Sequence, residues 1–232
     1  MAIAGPAAAA VKSLTQDQLR FIQTLSKAEL HAHLNGCIPI AVLQDLAREY
    51  TTLGDSQSLP NEQIQAGLAT LLAGPALDDI SDFFTLFPAI YALTASPSSL
   101  ARVTSAVLTS FLDGERPQCQ YLELRTTPRE TSQMTREQYL RVVLGELSRY
   151  GNQRTGLIVS LDRRMGEEVM EECVAIARKL KGEGEMVVGV DLCGDPRAGD
   201  VELFRRHFED AREAGMGVTL HVAEVSVVGL LS

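Results

Sequence analysis

The sequence has no surplus of basic residues, no paired cysteines and no long apolar run, and each absence removes a class of function. Lys and Arg total 21 against 30 Asp and Glu, a formal net charge of −9. A general nucleic-acid binder carries a basic footprint, so no nucleic-acid partner is expected, although a few arginines can still form a local pocket for a small anion. Cys37, Cys119, Cys173 and Cys193 are scattered without paired spacing, which argues against a disulfide framework and for reduced thiols in an intracellular protein. No apolar stretch approaches the length that spans a bilayer. Met1 to Val11 is alanine-rich but has no basic leader ahead of an apolar core. No membrane partner and no secretory signal are expected, and the expected location is cytoplasmic.

What is present is apolar content enough for one sizeable α/β domain, 45% hydrophobic against 22% charged in 232 residues. Thr15-Gln16-Asp17-Gln18 is a capping-box pattern, and Leu19, Ile22 and Leu25 suit a short amphipathic helix behind it. Helices are expected from Pro39 through Tyr50, over about 62–72, 79–93 and 97–112. The aromatic cluster Phe83, Phe84, Phe87 and Tyr91 falls in the third of these and reads as core. From Cys119 the pattern becomes regular. Strands at 121–125, 156–162, 186–193 and 217–224 alternate with helices at 135–150, 167–181 and 200–214, the last of these capped by Asp200. Strand, crossover helix, strand at this spacing is the unit of a parallel sheet. His207 lies among Arg205, Arg206 and Glu209 and reads as part of a solvated helix face with no role.

The stretch Lys27 to Gly36 organises the rest. Leu30, Ala32 and Leu34 alternate with His31 and His33, which places both imidazoles on one face of a strand. On spacing alone the pair fits two surface histidines as well as half of a metal site. Histidine economy favours the metal: the chain has only four His, and His221 lies in another apolar strand, three residues before Glu224. An open doubly wound sheet and a closed barrel both fit the alternation. The barrel is favoured because His33, Asn35, Arg125, Asp162, Gly194, His221 and Glu224 all fall at C-terminal strand ends, which a barrel gathers at one mouth.

Three ordered motifs, His31-Ala-His33-Leu-Asn35-Gly36, Val187-Val-Gly-Val-Asp191-Leu-Cys-Gly194-Asp195 and His221-Val-Ala-Glu224, resemble the adenosine deaminase family from about Ser26 to Val225. Asn35, Leu122-Glu-Leu-Arg125-Thr126-Thr127-Pro128 and Leu161-Asp162-Arg163-Arg164 lean towards its adenosine-deaminase-like branch, which acts on N6-methyl-AMP. The resemblance implies an incomplete (β/α)8 TIM-type barrel of class α/β, with a helical insertion at about 38–114 after the first strand. The implied division is an N-terminal extension over 1–25, a partial deaminase domain over 26–225 and a divergent tail over 226–232. It also implies one Zn2+ held by His31, His33 and His221, with Glu224 as the proton shuttle to N1 of the purine.

Substrate contacts are implied at His33, Asn35, Tyr91, Arg125, Thr126, Thr127, Pro128, Asp162 and Gly194. Arg125, Thr126 and Thr127 are expected at the nucleotide end, where a guanidinium grips phosphate oxygens. Arg125 has the alternative of pairing with Glu123 or Glu130, and Asp162 that of pairing with Arg163. Gly194 would let the backbone approach the purine, or would simply serve a turn. The expected partner is a small purine nucleotide or nucleoside, and the complete protein is expected to be monomeric.

A family member continues through three further strands, which supply another catalytic His and an Asp ligand. Five strands are counted here, so the expectation is a truncated chain with little or no activity. The alternatives are deamination of free adenosine, or a non-catalytic remnant that binds nucleotide or a partner.

Overall fold

The computed structural model describes residues 5–53, 61–74, 80–115, 117–195, 198–199 and 201–222. The alanine-rich start forms a helix, α1 (Gly5–Ser13), that motif reading left unassigned; alanine is the strongest helix former. In α2 (Gln16–Thr24) the capping box closes as expected, with the Gln18 N–H on Thr15 Oγ1 and the Thr15 N–H on Gln18 Oε1.

After β1 (Ala28–His33) and a 3-10 turn (Leu34–Gly36) come α3 (Ile40–Leu53), α4 (Glu62–Ala73), α5 (Ile80–Thr85), α6 (Phe87–Leu93) and α7 (Pro97–Leu112). The single helix expected over 79–93 is two helices, broken at Leu86. Pro88 has no N–H for the Phe84 carbonyl and its ring crowds that turn. Phe83, Phe87 and Tyr91 are half-buried and Phe84 is exposed, so the aromatic cluster borders the core rather than filling it.

The regular half of the chain then runs β2 (Tyr121–Thr126), α8 (Arg136–Leu147), β3 (Thr155–Asp162), α9 (Glu167–Gly182), β4 (Val187–Cys193), α10 (Val201–Glu213) and β5 (Gly217–Leu220). All neighbouring strands are parallel, in the order β1-β2-β3-β4-β5. The sheet curls into a half-barrel and does not close among the described residues, as expected for an incomplete TIM-type barrel. Strand parity explains its two faces. On β3, Leu157, Val159 and Leu161 are fully buried in the continuous core that also holds Leu140, Val143 and Leu144 of α8 and Val174 and Ala177 of α9. The alternate positions Ile158 and Ser160 share the register rows of Arg125 and Asp191 on the neighbouring strands.

Two departures bear on function. β1 carries one residue more than β2 between Glu29 and Ala32, a bulge. Leu30 is consequently half exposed instead of joining Ala32 and Leu34 in the core. The last strand stops at Leu220 rather than reaching position 224, although the His221 N–H still donates to the Leu192 carbonyl at 2.9 Å. Glu224 and the Asp200 cap lie outside the described residues. His207, expected on a solvated face, is buried, because helical spacing puts it on the stripe of Phe204 and Ala211. No helix among the described residues is long and apolar enough to cross a membrane.

Candidate metal centre

The half-barrel brings the first and last strands' histidines together. His31 and His33 leave β1, His221 follows β5, and their Nε2 atoms lie 2.8 Å (His31–His221), 3.0 Å (His33–His221) and 3.3 Å (His31–His33) apart. Four ligands at a zinc–nitrogen distance of 2.0–2.1 Å sit about 3.3 Å from one another, so the three nitrogens are spaced as one small cation requires. They are the His/Cys/Asp/Glu cluster of metal-site geometry found among the described residues.

Two of the rings are prepared by their surroundings. His221 Nδ1 faces the Leu192 carbonyl at 2.8 Å and Asp191 Oδ1 at 3.1 Å. Both are acceptors, so Nδ1 carries a hydrogen and Nε2 is the nitrogen turned towards the other two rings. Burial, with the neighbouring His221 imidazole second, lowers the His33 pKa to about 4. His33 is therefore neutral near pH 7 and presents a lone pair.

Beneath the three rings lies a polar hub. Asp191 is fully buried, and its Oδ1 accepts from Arg125 Nη1 (2.9 Å) and the Thr219 hydroxyl (2.7 Å). Its Oδ2 accepts from the Ser160 hydroxyl at 3.2 Å. Arg125 Nη2 donates to the Leu30 carbonyl at 2.6 Å, and Glu29 Oε1 accepts from the His31 N–H at 2.7 Å. These two bonds satisfy groups at the β1 bulge, and thereby fix the backbone that carries His31.

The predicted substrate residues divide by position. Arg125, expected at the nucleotide end or on a surface glutamate, is instead buried on Asp191, with both Nη atoms engaged inside the protein. Thr126 is also turned away, its hydroxyl 2.8 Å from that of Tyr139 on α8, and Pro128 is buried beside it. Thr127 lies at the mouth with Oγ1 3.8 Å from Cys193 Sγ. Asp162 is clamped by Arg164, not Arg163, through Nε (2.9 Å), Nη2 (2.6 Å) and the backbone N–H (2.9 Å). Arg163 is buried with Nη2 on the His221 carbonyl at 3.2 Å.

Gly194 has φ +97, and a Cβ there would stand 2.5 Å from Asp162 Oδ1; the position admits only glycine. Asn35 is buried with Oδ1 unpartnered, an acceptor of the kind a ligand donor satisfies. Tyr91 is half-buried, its ring covered by the Arg129 guanidinium with Cζ 3.4 Å from the centroid. Asp191, Ser160, Thr219, Tyr139 and Arg129 had no role in the sequence reading. Only Asp191 carried a signal, as part of the Val187–Asp195 motif.

A family model described as adenosine deaminase matches residues 26–230. The adenosine deaminase-like protein of Drosophila pseudoobscura pseudoobscura is 33% identical over 211 residues, which is 89% of this chain and 59% of the relative. The apo structure of the N6-methyl-AMP deaminase from Arabidopsis thaliana superposes with a TM-score of 0.72 at 30% identity, over 90% of this chain and 60% of that one. An Arabidopsis relative complexed with IMP gives 0.71 at 30% identity, over 89% and 61%. The chain thus spans about 60% of the length of the relatives it matches.

Proposed function

The chain belongs to the adenosine deaminase family, within its adenosine-deaminase-like branch, and we propose that its site serves hydrolytic deamination of an N6-substituted purine nucleotide. The reaction is N6-methyl-AMP plus water giving IMP plus methylamine. The observation that carries this reading is the convergence of three imidazole Nε2 atoms at 2.8–3.3 Å on the mouth of the half-barrel. Their donor set fits one zinc ion, which when bound makes water acidic enough to act as a nucleophile near neutral pH.

The chain's own residues bind and orient. His31, His33 and His221 would hold the ion, and the Asp191 hub keeps His221 and the β1 bulge in register. Gly194 leaves its backbone bare where the purine lies, and Asp162, fixed by Arg164, accepts from a substrate N–H or hydroxyl. Asn35 offers its unpartnered Oδ1 to a ribose hydroxyl. Glu224 is assigned the proton that moves to purine N1 as water adds at C6 and methylamine leaves. Support for nucleotides comes from the IMP-bound relative of similar fold.

The test is to express residues 1–232, measure zinc per chain, and assay amine release from N6-methyl-AMP and from adenosine. One zinc per chain is expected, with little amine release from this partial chain, and what release there is faster from N6-methyl-AMP than from adenosine. A chain without zinc overturns the reading, and faster release from adenosine replaces it with the free-nucleoside alternative.

A further inference from the structure

A short chain of buried polar groups runs behind the site and takes no part in the metal centre. Tyr139 enters early in α8, just after the Thr135 capping box, and helical spacing puts it on the stripe of Val143 and Leu147. It is 1% exposed. On β2, Thr126 follows Arg125, and strand parity turns it from the barrel interior to the side that α8 covers. Its hydroxyl lies 2.8 Å from that of Tyr139, and both groups are buried. Phenylalanine and valine would fill the same space. Two hydroxyls sealed from water in their place add a fixed direction, because each must find a partner.

Asn35 is the third member. His33 pairs with Arg125 in the sheet register, so the 3-10 turn after β1 brings Asn35 beside the end of β2. Burial pushes the Tyr139 pKa up to about 12, so its hydroxyl keeps its hydrogen near pH 7, and Thr126 Oγ1 is placed to accept it. Asn35 hydrogen-bonds Tyr139 in the sense that favours the phenolate, which makes the amide N–H the donor and the Tyr139 oxygen the acceptor. Asn35 is only 9% exposed, and its Oδ1 is the one acceptor among the buried side-chain atoms left unpartnered in the described residues; the others are arginine Nε atoms. An amide has a donor end and an acceptor end, and half a turn exchanges them. Holding the N–H end on Tyr139 leaves the oxygen end for a ligand.

We propose that Tyr139, with its own hydrogen committed to Thr126, is a positioning residue that sets the Asn35 amide with its oxygen towards the ligand, so that this position selects a ribose hydroxyl over a bare carbon. This rests on the purine reading above, in which Asn35 accepts from such a hydroxyl.

Titration calorimetry of the zinc-loaded chain with IMP and its 2′-deoxy and 3′-deoxy forms tests the assignment. In the wild type one of the two deoxy forms binds about 3–10-fold more weakly than IMP, the worth of one hydrogen bond. In Tyr139→Phe, which keeps the ring and removes the acceptor, that ratio falls towards one. Thr126→Val lowers it too, because the Tyr139 hydrogen turns to the Asn35 oxygen and takes it from the ligand. Asn35→Asp separates positioning from packing. Both ends of its carboxylate accept, so adding Tyr139→Phe on that background leaves the ratio unchanged, whereas a general loss of packing lowers it there as well. An unchanged ratio in Tyr139→Phe alone, or an equal fall on the Asn35→Asp background, overturns the assignment and makes Tyr139 a packing residue. A wild type indifferent to both hydroxyls overturns it while the purine reading stands. A wild type that binds no IMP refutes the purine reading, and this assignment with it.

Discussion

Asp191→Ala is the most revealing perturbation, because one carboxylate joins His221, a proposed metal ligand, to the bulge that carries His31. Its side chain is 0% exposed and that of Arg125 only 5%. Removing one partner of such a pair strands the other as an unpaired buried charge, at about 3–5 kcal/mol. The Ser160 and Thr219 hydroxyls lose an acceptor too, but each can turn to another and adds little. For a chain of this size the expected drop in melting temperature is about 6–20 °C, from about 2–4 °C per kcal/mol.

The effect on zinc should be smaller. His221 Nδ1 retains the Leu192 carbonyl at 2.8 Å, so the tautomer survives and zinc affinity falls near the low end of the 10–100-fold range typical of outer hydrogen-bond partners. Urea unfolding and competitive zinc titration read the two effects separately. The decisive arm is the double variant Arg125→Met with Asp191→Leu, which removes both charges and is expected to be more stable than Asp191→Ala alone. A single variant within about 0.5 kcal/mol of wild type, the range of ordinary surface substitutions, would refute the buried-pair reasoning. A double variant no better than the single would refute the attribution to stranded charge.

Replacing His33 or His221 by Ala should reduce bound zinc from one per chain to near zero after dialysis, and stoichiometric zinc in either variant would refute the three-imidazole site. Gly194→Ala should cost about 2–5 kcal/mol in urea unfolding, the sum of a left-handed penalty and overpacking against Asp162; a loss under about 0.5 kcal/mol would show that the turn relaxes freely. Burial raises all four thiols, Cys37 to about 11, Cys173 and Cys193 to about 12, and Cys119 in the same direction. A thiol whose pKa lies above the ambient pH holds little reactive thiolate, so alkylation at pH 8 should be about 100-fold or more slower in the native chain than in urea for Cys37, Cys173 and Cys193. Labelling of any of these three at the unfolded rate would contradict the burial.

Much of the frame was legible because it rests on local periodicity. The short apolar run of β3 and the glycine and cap signals around α8 and α9 are properties of neighbouring residues, so strand and helix positions could be read directly. The three histidines were legible for another reason: imidazoles are scarce in this chain, and strand ends in parallel order meet at one rim. The departures came where a neighbour far in sequence decides. Nothing near Leu30 announces the bulge, which is stabilised by Arg125 ninety-five positions away. His207 was misread because its flanking charges outweighed the wider spacing to Phe204 and Ala211.

The arginines carry the point further. Arg125, Arg129, Arg163 and Arg164 all lie at or just past C-terminal strand ends and look alike in sequence, yet each meets a different fate. Arg125 occupies a strand position whose register row runs through Ile158 and Gly189, two residues short of Asp191 on β4, and a long side chain reaching along the barrel interior finds that carboxylate. Arg164 lies two residues past Asp162 and folds back on it, while Arg163 between them turns to the His221 carbonyl. Arg129, four residues beyond Arg125 and past the end of the sheet, meets the Tyr91 ring supplied by an inserted helix and, among the described residues, no carboxylate within 4.0 Å. What each of them meets is therefore settled by what the neighbouring strands and helices place opposite it. A sequence motif identifies the set of candidates, and the pairing of buried charges selects among them.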